Sequence, residues 1–425
     1  MTALLILAVL LLALAGAPLF AVIVAAALVG FWLADIPLVV VTVEIYRIAD
    51  TPLLLSLPLF AYAGYVLAAG RASERLVGVT RALIGWMPAG LALVAFLACA
   101  LFTAFTGASG VTIVALGALL YPALVSEGYA ERFSLGLVTS AGSLGLLLVP
   151  SVPLILYGVI AQQMELEQTF TLRDLFVAGL LPALLMIALL SGWALWHVRD
   201  RGMALTPFSG TELRSALWDA RWDLPLPVFV LGGIYGGFFA VSEMAAVTAL
   251  YVTITQVFLY RDVPLRRLPA VMVDAMVMVG GILLILAVAL AFTNVLVDAE
   301  IPQRLFEWAS TWITSKLAFL LLLNVTLLLL GAILDIFSAL VIMVPLLLPV
   351  AVGYDIHPVH FGIIFLANMQ IGYFTPPIGM NLFIASYRFG RSVTELYRAS
   401  LPFMLVLLVA LVLITYVPWL SLGFL

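Results

Sequence analysis

Residues 331–350, GAILDIFSALVIMVPLLLPV, and residues 367–386, ANMQIGYFTPPIGMNLFIAS, decide the fold of this chain. Each is an apolar run interrupted by small residues, polar residues and proline, at what should be membrane depth. The same design occurs earlier, in 105–124, FTGASGVTIVALGALLYPAL, and 141–158, AGSLGLLLVPSVPLILYG. Pro122/Pro349, Gly145/Gly372 and Pro150/Pro377 share one offset of 227 (349−122, 372−145, 377−150). Broken apolar segments at matching positions of two halves point to the substrate site of a secondary transporter.

The surrounding composition agrees. The chain has 425 residues, 65% of them hydrophobic and only 9% charged, which indicates lipid as the solvent. In lipid the backbone must satisfy its own hydrogen bonds, leaving helices or closed barrels. Continuous apolar runs exclude the alternating pattern of a barrel. Cys99 is the only cysteine, so disulfides within the chain and cysteine metal clusters are excluded. The first apolar run lacks a basic leader and is expected to be retained as a span. No phosphate-cradling loop and no nucleophile motif stands out, so neither an ATPase nor a hydrolase is indicated.

The longest polar stretch, about 197–223, divides the chain. FAVIVAAA at Phe20–Ala27 resembles FAVSEMAA at Phe239–Ala246 and supports an internal duplication. The expected division is a first repeat at 1–198, a cytoplasmic linker at 199–221 and a second repeat at 222–425. Expected spans in the first half are about 3–20, 21–41, 52–70, a hairpin at 86–126, a broken span at 131–161, and 174–197. In the second half they are about 222–240, 241–260, 270–297, a hairpin at 316–352, a broken span at 358–386, and 399–424. The paired segments are read as re-entrant hairpins, with two ordinary kinked spans as the alternative. With the N-terminus outside, most arginines, from Arg71 to Arg398, fall on the cytoplasmic face. Only Arg47, Arg173, Arg304 and Lys316 fall outside, among acidic Glu44, Asp50, Glu165, Glu167, Asp298 and Glu300. The two halves are then inverted, and both termini are expected to be periplasmic. The expected fold class is therefore an all-α polytopic membrane protein with two inverted-topology repeats, each carrying a re-entrant hairpin and a broken helix.

Breaks in membrane helices free backbone groups, which survive only when buried in protein or lining a polar cavity. Freed carbonyls and hydroxyls suit a hard cation such as Na⁺, and half-helix N-termini suit a carboxylate. The candidate groups in the first half are Gly107, Ala108, Ser109 and Gly110, facing Gly142, Ser143, Gly145, Pro150, Ser151 and Pro153. In the second half Asp335 and Ser338 face Asn368, Gln370, Gly372, Thr375, Pro376 and Pro377. Glycine and serine also serve close helix packing, so only their recurrence in both halves lifts them above that reading. An ionisable Asp335 within an apolar run marks function, as ion ligand, proton carrier or substrate contact; the structural alternative is a partner such as Asn368. Glu243 reads as a cap for a helix begun by Ser242, and Asp274 as an interfacial or inter-subunit contact. His357 and His360 lie in an expected loop with no evident third metal ligand.

These residues resemble the large membrane subunit of the tripartite ATP-independent periplasmic (TRAP) transporters, the DctM-like family. The similar stretches are SLPLFAYAG, FTAFTGASGVTIVALG, AGSLGLLLVPSVPLILYG, LGGIYGGFFAVSEMAAV, LDIFSALVIMVPLLLP and NMQIGYFTPPIGMNLFIAS, in the family's order. The resemblance implies a bacterial inner-membrane symporter driven by Na⁺ that moves by an elevator mechanism. It implies a small membrane subunit (DctQ-like), a periplasmic substrate-binding protein (DctP-like), and substrates such as C4-dicarboxylates or sugar acids. Carried over, one Na⁺ site lies between the tip at Ser109 and Gly110 and the loop at Gly142, Ser143 and Gly145. A second involves Asp335, Ser338, Asn368, Gly372 and Thr375. Substrate would contact Ser109, Ser151 and Asp335. The chain departs from the family at Ser242–Glu243, at GASG, and at Val149–Pro150, where two prolines are common; the first loop is therefore expected to bind its ion through carbonyls. The small subunit is expected to be a separate chain. The alternative is a one-component divalent-anion/Na⁺ symporter needing no binding protein. A channel is a further reading, and neither enzymatic activity nor a nucleic-acid partner is expected.

Overall fold

The computed structural model describes residues 2–49, 51–164, 166–199 and 207–425. Asp50, Glu165 and Arg201 lie outside them, as does much of the expected linker. Among the described residues the secondary structure is helical throughout. The first half contains α1 (Thr2–Leu14), α2 (Leu19–Leu33), α3 (Val39–Ala49), α4 (Ser56–Ala69), α5 (Ala72–Ile84), α6 (Gly90–Thr106), α7 (Ser109–Ser126), α8 (Glu131–Ala141), α9 (Val152–Gln162) and α10 (Leu172–Val198). Then follow α11 (Gly210–Asp219), α12 (Pro225–Tyr235), α13 (Val241–Thr253), α14 (Leu268–Asp298) and α15 (Ile301–Trp312). The last are α16 (Lys316–Ile333), α17 (Ile336–Gly353), α18 (Pro358–Gly372), α19 (Met380–Phe389), α20 (Val393–Tyr416) and α21 (Trp419–Leu422).

Seven of these helices are long and apolar enough to cross a bilayer, or up to nine if each bent pair is one span. The expected hairpins and broken spans form within a few residues of their anticipated limits. α6–α7 and α16–α17 are helical hairpins with two-residue tips at 107–108 and 334–335. α8–α9 is bent by 41° across its break. Several boundaries differ: α3 (Val39–Ala49) fills an expected loop, and α12 has 11 residues in place of the expected span at 222–240. The turn near Gly16 is present, but α1 and α2 have 13 and 15 residues, about 20 and 23 Å at ~1.5 Å per residue, short of a ~30 Å hydrocarbon layer. The chain after α4 does not end in a loop; it turns by 76° into α5. α15 likewise replaces an expected loop. Both are amphipathic: α5 carries Arg71, Glu74, Arg75 and Arg81 at its start and along one face, and α15 carries Arg304 and Glu307. Their charges resemble loop composition until the 3.6-residue spacing is followed.

The two copies correspond element by element. α7 and α17 begin 227 residues apart (336−109) and end 227 apart (353−126), as do the starts of α8 and α18 (358−131). The Val149–Pro150 and Pro376–Pro377 bonds are both cis. Ser143 Oγ donates to Gln370 O at 3.1 Å, and these residues are themselves 227 apart. A residue bonded to its own counterpart lies beside the axis relating the copies. The copies also exchange partners. α19 of the second packs on α7 of the first, and α9 of the first packs on α17 of the second. Neither hairpin site could form from one copy alone.

Glycine makes these approaches close. A Cβ on Gly145 would lie 2.1 Å from Ala100 O and 2.5 Å from Ala104 N; one on Gly372 would lie 2.6 Å from Gly331 C and Cα. Ala104 and Gly331 are again counterparts (331−104 = 227). The broken span in each copy therefore rests its glycine on the equivalent point of its own hairpin.

Candidate functional site between the hairpin tips

Both tips open onto one cavity of about 560 Å3, lined by Gly107, Ala108, Ser109 and Gly110 from one and Asp335 and Phe337 from the other. Tyr373, Met380 and Ile384 close it from the second broken span. Ala68 of α4 lines it as well. Gly107 adopts φ +65°, where glycine is favoured, and a Cβ there would stand 2.7 Å from Val152 Cγ2. That tight turn ends α6 and starts α7, so the α7 N-terminus is presented to the cavity.

Asp335 caps α17. Its Oδ1 accepts from the backbone N of Phe337 and of Ser338, each at 3.0 Å, and its Oδ2 accepts from Ser338 Oγ. Such a carboxylate at a helix N-terminus satisfies free N–H groups and faces the positive end of the macrodipole. Its partner is thus Ser338 and its own helix, not Asn368. Ile336 N donates to Tyr373 Oη at 2.9 Å, which ties the tip to the broken span. Gly379 N donates to Ala332 O at 2.9 Å, adding a second tie.

Ser109 is buried, and its Oγ donates to Asn381 Oδ1 at 2.8 Å. The Asn381 backbone N donates to Tyr373 O at 2.9 Å. Loop 373–381 thus joins both hairpin tips. Neither Asn381 nor Tyr373 was singled out from the sequence. The signal for Asn381 was a polar residue one position into α19 inside an apolar stretch.

Behind the first tip, Thr103 Oγ1 donates to Gly142 O at 2.8 Å and lies 2.7 Å from Thr112 Oγ1. The carbonyl of Ser109 is close to Gly142, within 3.2 Å of where its Cβ would stand. Thr106 Oγ1 is buried with no hydrogen-bond partner. This set of hydroxyls and carbonyls is all hard oxygen, a donor set of the kind that suits Na⁺, and Thr106 lies three residues from Thr103 on the same helix. Thr103 and Thr112 were also missed, because threonine within an apolar run carries no distinct signal.

Other expected site residues are not among those lining the cavity, and their contacts are these. Ser151 is fully buried, with Oγ bonded to Leu146 O at 2.5 Å, and does not line the cavity. Asn368 Nδ2 donates to Asn324 Oδ1 at 2.7 Å and Ile364 O at 2.8 Å, within a network completed by Thr415. Thr375 Oγ1 bonds Ile371 O at 2.8 Å. Gly145 and Gly372 serve packing contacts, as above. Glu243 reaches back to Ala240 N at 2.9 Å, capping a helix that starts at Val241, one residue earlier than expected. Asp274 is exposed on α14. His357 caps α18 through Val359 N, and His360 bonds Ser421 Oγ and Thr415 O.

The chain is similar to known proteins. The chain matches the family described as tripartite ATP-independent periplasmic transporter, DctM component, over residues 4–420. The chain belongs to that DctM family. It is 35% identical over 403 residues to the C4-dicarboxylate TRAP transporter large permease protein DctM of Rhodobacter capsulatus, covering 92% of this chain and 91% of that one. It is 34% identical over 367 residues to the isethionate TRAP transporter permease protein DctMQ of Oleidesulfovibrio alaskensis, covering 86% of this chain and 57% of that one. Among solved structures, the YdaH transporter of Alcanivorax borkumensis, described as having an unusual topology, superposes with a TM-score of 0.60 over 90% of this chain and 88% of that one. At 16% identity that likeness speaks for the fold alone. Members of the DctM family are transporters and not enzymes. The seven or more apolar spans make this chain a polytopic membrane protein.

Proposed function

We propose that this chain is the large permease subunit that carries an organic acid across the bacterial inner membrane, coupled to Na⁺, with both termini periplasmic. The observation that carries the reading is the shared cavity: Ser109 from one hairpin and Asp335 from the other line it. Relatives named for C4-dicarboxylate and isethionate support an anionic substrate.

The charge balance supplies a reason for coupling. Among the lining residues there is no lysine, arginine or histidine, and Asp335 is the only carboxylate. A substrate carboxylate about 6 Å from it would be repelled by about 3 kcal/mol at an effective dielectric near 20. The N-termini of α7 and α17 offset part of that. Na⁺ in the cavity walls would supply the remaining positive charge. Thr103, Thr106, Thr112 and the carbonyls of Ser109 and Gly142 would hold one ion. Asp335, Ser338, Gly372 and Thr375 would contribute to a second. Anion and cation then favour each other's binding, which is the coupling a symporter requires.

An elevator movement is the mechanism proposed for this carrier, and the packing of each copy's broken span on the other copy's hairpin supports it by making the hairpins and breaks one candidate moving unit. α4 packs on both α13 and α14, the candidate scaffold helices, and the hairpins and broken spans would move as a unit against them. The delivery protein and the small subunit would complete the system. Reconstituted vesicles containing this chain, the small subunit and the co-encoded binding protein should take up an organic acid only with an inward Na⁺ gradient. Uptake with K⁺ alone, or by this chain without the binding protein, would overturn the reading.

A further inference from the structure

The amphipathic helix α5 links the α4 scaffold helix to the first hairpin, and its two ends are held very differently. Near its start, Arg75 is engaged through every nitrogen of its guanidinium. Nε donates to Asp223 Oδ2 at 2.5 Å, Nη1 to Asp262 Oδ2 at 2.6 Å and Nη2 to Gln256 Oε1 at 3.0 Å. Gln256 closes the ring by donating to Asp223 Oδ1 at 2.7 Å. The guanidinium also lies over Tyr260, 3.7 Å from the ring centroid. Tyr260 Oη in turn bonds Asp219 O and Trp222 N. The charged side chains of the cluster are only 11–12% exposed. Burial opposes the charge on Arg75, but the Asp223 and Asp262 carboxylates outweigh it and hold the guanidinium above its ordinary value.

α5 packs along α6 of the hairpin, and the ion pair at its far end is exposed. Arg81 meets Glu127 at the end of α7 through one bond of 3.0 Å, with 55% and 33% of the two side chains exposed. All partners of Arg75 belong to the second copy: Asp223 precedes α12, Gln256 lies in the π-helical continuation of α13 (Ile254–Leu259), and Asp262 precedes α14. Among the described residues the counterpart arm has no such cluster, and Pro302 of α15 occupies the position matching Arg75 (302−75 = 227). A multidentate, shielded ion cluster resists dissociation far better than an exposed single pair.

We propose that Arg75 is a positioning residue, the fixed anchor that keeps the first arm on the scaffold while the hairpin moves at the Arg81 end. This rests on the carrier reading above. Without the anchor the arm follows the hairpin, and the stroke loses its fulcrum. Arg75→Met and Arg75→Lys should lower the maximal uptake rate about tenfold while leaving the substrate KM and the Na⁺ dependence near wild type. A merely stabilising role would lower the amount of folded protein, measured by size exclusion, without changing the rate per folded molecule.

A cross-link tests fixity directly. An ideal Cβ on Gly70 lies 3.4 Å from Asp262 Cβ, close to the ~3.5–4.5 Å of a disulfide. In a Cys99→Ala background, Gly70→Cys/Asp262→Cys should transport well when oxidised and more slowly when reduced. Loss of transport on oxidation would mean that the cluster must open, and would overturn the proposal. So would wild-type rates in both Arg75 variants. Failure of Na⁺-driven uptake by the wild-type complex would instead count against the carrier reading, so the two failures are distinguishable.

Discussion

Replacing Asp335 with asparagine separates two roles that the geometry combines. Asp335 Oδ1 accepts from Phe337 N and Ser338 N, and an asparagine Oδ1 caps a helix about as well as aspartate. The cap therefore survives in Asp335→Asn. The bond to Ser338 Oγ reverses, with the asparagine Nδ2 donating to the hydroxyl, and the charge–dipole attraction is lost, about 0.3–1 kcal/mol. Stability should fall by under about 1 kcal/mol. The effect on transport should be larger. A carboxylate about 4 Å from a cation gains about 4 kcal/mol at an effective dielectric near 20. Asp335 is only half-buried, so solvent screening reduces this to roughly 2 kcal/mol, or about 30-fold in Na⁺ affinity. Uptake in vesicles holding the full complex, titrated with Na⁺, should show half-saturation shifted up about 30-fold. Thermal unfolding should be nearly unchanged. Asp335→Ala should lose both roles and about 1–2 kcal/mol of stability. If Asp335→Asn keeps wild-type rate and Na⁺ dependence, Asp335 is a helix cap and the coupling argument fails.

Further expectations follow from packing and buried polar groups. Gly145→Ala and Gly372→Ala should each destabilise by about 1–3 kcal/mol, because the added methyl meets backbone at 2.1 and 2.6 Å. Gly192→Ala, where nothing lies within 4 Å, should stabilise slightly through helix propensity; equal melting temperatures for all three would contradict the close contacts. Asn381→Ala leaves the Ser109 hydroxyl without its acceptor. It should cost about 1–2 kcal/mol and raise the substrate KM, whereas an unchanged KM would remove Asn381 from the site. Asn368→Leu should cost about 1–3 kcal/mol by orphaning its partners. The double change with Asn324→Leu should cost less than the sum, and Na⁺ half-saturation should not move; a shift would return Asn368 to the ion site.

The hairpins and breaks were legible in the sequence because membrane helices rarely tolerate Gly107, Asp335 or Pro377 without a compensating site. The 227-residue offset between Pro122/Pro349, Gly145/Gly372 and Pro150/Pro377 marks the second copy in the sequence itself. α5 and α15 were not legible as helices, since Arg71–Arg81 and Arg304–Glu307 have the composition of loops. Asn381, Tyr373, Thr103 and Thr112 were missed for another reason. Their importance lies in partners far along the chain, as in Ser109–Asn381, 272 residues apart. Spacing along one helix carries no record of such a partner. Asn368 has a partner that the sequence did not indicate: its Nδ2 donates to Asn324 Oδ1, while its own buried Oδ1 has no hydrogen-bond partner.

One labelling measurement bears most directly on the pairing of the two tips. Ala108 lines the cavity opposite Asp335, and Cys99 is the sole native cysteine. In a Cys99→Ala background, the thiol of Ala108→Cys should react with a small maleimide. The expected result is that Na⁺ and the transported acid together slow the reaction at least about tenfold, that neither alone does so fully, and that Asp335→Asn abolishes the protection. Labelling at one rate under all conditions would mean that the two tips do not enclose a common binding site.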